Sequence, residues 1–169
     1  MPAGARPAVH RGHHEIEALL PHRYPMLLVD AVLDLQPGVS ILAAKAVTRD
    51  EAAYARARHP GAADAGQGYP ASLVIESFCQ AAGILFMESG SQSYDRRRHV
   101  LLFGALMGCR ISGVALPGDV LTHHARITKV LSDSAVFGGD VRVDGRPILT
   151  LEHVVMAVRD RGSLGQGAE

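Results

Sequence analysis

The stretch Ala71–Glu88, introduced by Pro70, carries apolar side chains on nearly every helical face: Leu73, Val74, Ile75, Phe78, Cys79, Ile84, Leu85, Phe86 and Met87. A helix that is apolar all round must be buried all round, so the rest of the chain has to wrap it. The material for wrapping is β-prone. Val100–Ala105, Val120–Leu131, Ala135–Val143 and Pro147–Val158 are enriched in Val, Ile and Thr and read as strands. They are separated by Pro117-Gly118-Asp119, Ser132-Asp133 and Asp144-Gly145, the last a strong tight-hairpin signal. Upstream, Met26–Leu35 and Ile41–Val47 form a further hairpin across Pro37-Gly38, and His14–Leu20 spaces its apolar residues as a short helix that Pro21 stops. Thr48–Gly68 is a long loop with room for a helical turn at Ala52–Ala57, and Gly90–Arg98 is a polar loop. The sum predicts an α+β protein, one long helix lying on an antiparallel sheet of about six strands.

A chain of 169 residues suits one domain, placed at 13–160, with flexible tails at 1–12 and 161–169. Seventeen basic against seventeen acidic residues leave no net charge, which argues against a nucleic-acid partner bound through phosphates. The richest apolar window, Leu73–Met87, is interrupted by Glu76 and Gln80, so no membrane span is expected. Cys79 and Cys109 offer neither a disulfide framework nor a metal-ligand spacing, and residues 1–12 lack the apolar run of a secretory signal. A cytoplasmic location follows as the expectation.

Within the long helix, Ser72, Glu76, Gln80 and Gly83 fall four, four and three residues apart and line up as one seam. A carboxylate isolated in apolar surroundings has its charged form disfavoured, which suits a group that donates or shares a proton. The same seam would equally serve a solvent-facing edge or a pairing across an oligomer interface. His59, in the loop before the helix, is either a solvated histidine or the partner with which Glu76 divides proton abstraction and leaving-group protonation. Gly66-Gln67-Gly68-Tyr69-Pro70-Ala71 mimics a dinucleotide fingerprint, but no strand precedes it. His13-His14 and His123-His124 place neighbours on opposite faces if they lie in strands and have no third ligand at suitable spacing, so no metal site is expected. Arg96, Arg97 and Arg98 form either a solvated loop or an electrostatic dock for an acidic partner.

The run Leu19-Leu20-Pro21-His22-Arg23-Tyr24-Pro25-Met26-Leu27-Leu28-Val29-Asp30 resembles the opening motif of the FabZ-type hotdog-fold 3-hydroxyacyl-acyl-carrier-protein dehydratases. Pro70, Leu73 to Glu76 and Gln80 to Gly83 are similar to that family's catalytic helix, and Pro117-Gly118-Asp119-Val120-Leu121 to a later strand start. The resemblance spans about residues 16 to 160. It implies a hotdog fold, a long helix wrapped by a curved antiparallel sheet, with protomers pairing their sheets into a dimer or higher oligomer and completing each site across the interface. It implies Glu76 as the catalytic carboxylate and His59 as the acid/base, removing the proton beside the thioester while the C3 hydroxyl leaves as water. It places Tyr69, Pro70, Ala71, Ser72, Gln80 and Gly83 at the substrate, with backbone N–H groups near Ala71 and Ser72 facing enolate charge. Arg96, Arg97 and Arg98 would meet the acyl carrier protein, whose phosphopantetheine arm presents the substrate; no metal or other cofactor is implied. The loop Ala57-Arg58-His59-Pro60-Gly61 departs from the family's Gly-His-Phe-Pro-Gly order, and Tyr69-Pro70-Ala71 stands where Met-Pro-Gly is usual. Two further readings accompany these departures: a catalytically degenerate hotdog subunit that supports an active, heteromeric partner, and a hotdog thioesterase.

Overall fold

Asp144 and Gly145 both adopt positive φ (49° and 76°) and turn the chain between two long strands, as the Asp-Gly pair demands. The computed structural model describes residues 11–54, 68–89, 95, 97–131 and 133–165. Its elements, in chain order, are α1 (His13–Leu19), β1 (Ala31–Gln36), β2 (Ser40–Ala46), α2 (Ala71–Glu88), β3 (His99–Ile111), β4 (Val120–Val130), β5 (Ser134–Val143) and β6 (Arg146–Asp160), followed by a 3-10 helix at Arg161–Gly165. The six strands form one antiparallel sheet in the order β1-β2-β4-β5-β6-β3. Ladder irregularities interrupt β1, β3, β4, β5 and β6, as expected where a sheet must curve.

The curvature is needed because α2 lies in the concave face. Val74, Phe78, Ala81, Ala82, Ile84, Leu85 and Phe86 are all within a few per cent of full burial. They join one core with the inward residues of the sheet, among them Ala43, Leu121, Phe137, Leu151 and Met156. Phe86 meets Phe137 edge-on at 6.3 Å between ring centroids. At about 1.5–3 kcal/mol for each large side chain removed from water, this contact area is the main stabilising source of the fold. By length and hydropathy α2 could cross a bilayer, but most of it is buried within the protein.

Close packing also fixes Gly139 of β5. A Cβ there would collide with the His124 backbone carbonyl and reach 3.0 Å from the Phe78 ring. Neither can yield cheaply. Gly139→Ala is therefore expected to destabilise by about 3 kcal/mol, the upper end of overpacking costs, read as a lowered urea midpoint at unchanged m-value.

Several boundaries differ from the sequence expectation. Met26–Asp30 is not strand: Pro21 and Pro25, the latter after a cis peptide bond, keep residues 20–30 irregular, and β1 starts at Ala31. β3 runs six residues past the expected Ala105 to Ile111, through a bulge at Gly104 and a positive φ of 63° at Gly108. Of the tails expected at 1–12 and 161–169, residues 1–10 and 166–169 lie outside the described residues. Arg11 bridges to Val32, Gly12 caps α1 and Arg161–Gly165 forms the closing 3-10 helix.

Candidate active site

Glu76 sits near the middle of α2, and its side chain is 27 % exposed. It is not isolated in apolar surroundings as the sequence suggested. Gln80 Nε2 donates to Glu76 Oε1 at 2.9 Å, and His22 Nε2 stands 3.3 Å from the same oxygen. Gln80 is itself buried and bound on both ends, donating to the Met26 carbonyl at 2.7 Å and accepting from the Leu28 N–H at 2.9 Å. The irregular segment 20–28 is thereby clamped onto α2. Two backbone groups of that irregular segment are thus satisfied by a helix side chain, and the Arg23 guanidinium takes the carbonyls of Leu20 and His22.

The four-residue seam divides. Gln80 and Gly83 are buried, Glu76 is half-buried and Ser72 is exposed. Glu76, Gln80 and Gly83 line one cavity of about 100 Å³ with His22, Leu101 and Phe103. Ser72 and Glu76 line an adjoining, more open cavity of about 330 Å³ with Ile75, Cys79 and Phe103. Glu76 thus stands between two mostly apolar spaces, a setting in which a carboxylate can exchange protons with a bound acyl chain.

The other expected substrate residues lie elsewhere. Tyr69 and Ala71 line a separate cavity of about 430 Å³ with Val74, Val114 and Ile148. Tyr69 is almost fully buried, its N–H donating to the Ala115 carbonyl at 2.7 Å, and burial pushes its phenol above the ordinary range. Pro70 is the N-cap of α2 and provides no side-chain cap. Leu73 and Val74 N–H both go to the Pro70 carbonyl, so among the described residues the N–H groups of Ala71 and Ser72 have no acceptor. His59 and Arg58 lie outside the described residues, as does Arg96. Arg97 and Arg98 are exposed, with Arg98 Nη2 3.9 Å from Asp160.

Three features were missed from sequence. His22 beside Glu76 had no local signal, because the contact joins α2 to a proline-rich segment far away in the chain. Cys79 lines both cavities at Glu76; burial, and then the Glu76 charge, push its thiol up, so it is held as a thiol rather than a nucleophilic thiolate. Lys45, on the inward face of β2 and nearly buried, is neutralised by Glu51 at 3.1 Å and lies 5.4 Å above the Tyr69 ring. Among the described residues no group of three His, Cys, Asp or Glu side chains could hold a metal ion.

A FabA-like domain is recognised across residues 20–152. The 3-hydroxyacyl-[acyl-carrier-protein] dehydratase FabZ of Colwellia psychrerythraea is 34 % identical over 139 residues, covering 82 % of this chain and 88 % of that protein. The FabZ of Pseudoalteromonas translucida is 35 % identical over 140 residues, covering 82 % and 87 %. Among solved structures, the dehydratase heterocomplex ApeI:P from Xenorhabdus doucetiae superposes with a TM-score of 0.70 at 17 % identity, covering 89 % of this chain and 95 % of that one. A mutant thioesterase from Pseudomonas aeruginosa gives 0.61 at 13 %, covering 92 % and 99 %. These two likenesses establish the shared hotdog fold, and the closer sequence relatives establish more: the chain belongs to the FabA-like family, together with the FabZ 3-hydroxyacyl-[acyl-carrier-protein] dehydratases.

Proposed function

We propose that the protein dehydrates 3-hydroxyacyl thioesters carried on the phosphopantetheine arm of an acyl carrier protein, giving 2-enoyl thioesters for fatty-acid or polyketide assembly in the cytoplasm. The observation that carries this reading is Glu76, a half-buried carboxylate between two mostly apolar cavities on the family's helix. In the proposed reaction His59 removes the proton at C2, and Glu76 protonates the C3 hydroxyl as it departs as water. The thioester oxygen gathers charge in between. The unused N–H groups of Ala71 and Ser72, at the positive end of α2, are suited to face that charge. No metal or nucleotide enters the chemistry. Incubation of the pure protein with a 3-hydroxyacyl carrier thioester should show loss of one water by mass spectrometry. A folded protein that leaves the substrate intact would sink the proposal.

A homodimer is part of the same reading. β3 pairs with β6 on one edge only, and on this long edge strand Phe103, Leu106, Met107 and Ile111 are exposed, Met107 to 53 %. An unprotected apolar edge of this length is a template for another strand, and a second copy supplies one. Met107 is chosen for the test because it lines neither cavity at Glu76. Sedimentation of the parent protein should give at least twice the 17.9 kDa chain mass. Met107→Asp, which puts a charge into the buried seam, should move it to the single-chain mass. An unchanged oligomer would place the interface elsewhere. The exposed Arg97 and Arg98, with Arg96, are the proposed dock for the acidic carrier.

The order Arg58-His59-Pro60-Gly61 favours a second reading, a degenerate subunit that acts beside an active hotdog partner. Co-expression with a separate dehydratase chain and a pull-down decides between them: a stable heteromer supports the second reading, and a lone active homodimer eliminates it.

A further inference from the structure

Both polar side chains nearest the Glu76 carboxylate approach the same oxygen. Oε1 takes the Gln80 Nε2–H at 2.9 Å and faces His22 Nε2 at 3.3 Å, while Oε2 receives no hydrogen bond from the described residues. Gln80 cannot drift, because its amide is also tied to Met26 and Leu28. His22 is similarly held in place: the Arg23 guanidinium donates to the carbonyls of Leu20 and of His22 itself, at 2.9 and 2.6 Å. The other imidazole nitrogen, Nδ1, is buried and has no partner among the described residues. That detail selects the tautomer. With hydrogen on Nε2, the ring turns the positive end of its N–H toward Oε1 and leaves Nδ1 a bare acceptor. With hydrogen on Nδ1, a buried N–H is orphaned, at about 1–3 kcal/mol, and the Nε2 lone pair is turned against a carboxylate oxygen.

We propose that His22 is a positioning residue for Glu76: its Nε2–H and the Gln80 amide together anchor Oε1, so that Oε2 alone is presented to the reacting thioester. The inference rests on the dehydratase reading above and adds to it which oxygen handles the proton and what holds it there. Positioning matters because displacing a reacting group by about 1 Å can cost a factor of about 10² in rate. Without His22, the carboxylate keeps one tether and can swing about it.

Two substitutions in the full chain separate donation from packing. His22→Gln keeps an N–H at similar reach, and His22→Phe keeps the ring but removes the donor. With a 3-hydroxyacyl carrier thioester, His22→Phe should lower kcat by about 10- to 100-fold with KM within about twofold, whereas His22→Gln should stay within about fivefold of the parent. A Phe variant near parent activity, or both variants falling alike, would overturn the positioning role. A parent protein with no dehydratase activity would overturn the functional reading instead. The pairing is then judged by 15N NMR of imidazole-labelled protein, which needs no turnover. The expected spectrum has His22 hydrogen on Nε2, with a resonance that moves in Glu76→Ala. Hydrogen on Nδ1, or a resonance indifferent to Glu76→Ala, would refute it.

Discussion

Glu76→Gln is expected to lower dehydration by a factor of about 10² to 10⁴ while leaving the thermal midpoint nearly unchanged. The amide has the volume of the carboxylate, so neither cavity at its side opens or closes. Its carbonyl oxygen can still accept from Gln80 and stand against His22, and the Gln80 clamp on residues 20–28 survives. What is lost is the capacity to give a proton to a departing hydroxyl. His59→Ala should reduce turnover similarly and Arg58→Ala should not. If Arg58→Ala abolishes turnover while His59→Ala leaves it intact, the base has been assigned to the wrong loop position. If Glu76→Gln retains parent activity with a folded spectrum, the carboxylate is not the proton donor and the proposed mechanism falls with it.

What could be read in advance was what repeats locally. Ala71–Glu88 is the helix the apolar pattern describes, and Asp144-Gly145 makes the turn that its backbone preferences dictate. β4 and β5 match within a residue or so: β4 alternates inward and outward residues over its first half, and β5 is a β-prone run ended by the Asp144-Gly145 turn. β3 was under-read for a physical reason. It is an edge strand, with little burial to impose alternation, and Gly104 and Gly108 look like breaks although they sit at a bulge and a kink inside the ladder. Met26–Asp30 was over-read because Leu27, Leu28 and Val29 are strand-like in type, yet Gln80 takes their neighbourhood's backbone groups. The same holds for the site. Glu76 stands out in sequence as a charge in an apolar helix, whereas His22 acquires its role only through a contact between distant segments, which no spacing rule reveals. Tyr69 and Ala71 flank Pro70 at the start of the helix but line a cavity that Glu76 does not share.

The second large effect concerns stability in acid and is expected at His123, on the inward face of β4. The ring is fully buried and neither nitrogen has a partner among the described residues. Burial first, then the charges of Lys45 and His124, lower its pKa from the ordinary 6.5 to about 3. The sign follows from where the proton goes. Above pH 6.5 both folded and unfolded chains hold this imidazole neutral, and it exerts no pH dependence. Below pH 6.5 the unfolded chain takes a proton that the folded chain refuses until about pH 3, so stability is lost as pH falls, by about 1.4 kcal/mol per unit through that window. His123→Leu removes this proton uptake at similar volume and gives up no hydrogen bond. It should therefore be more stable than the parent at pH 7.5, by about 1–3 kcal/mol for relieving an unsatisfied buried polar group. Its loss of stability between pH 6 and pH 4 should be shallower by one proton's worth. Urea unfolding of both proteins at several pH values measures the difference directly, since the carboxylates contribute equally to each. Parallel stability curves for the two would mean that His123 is protonated inside the folded protein, and that the space around it accommodates a charge.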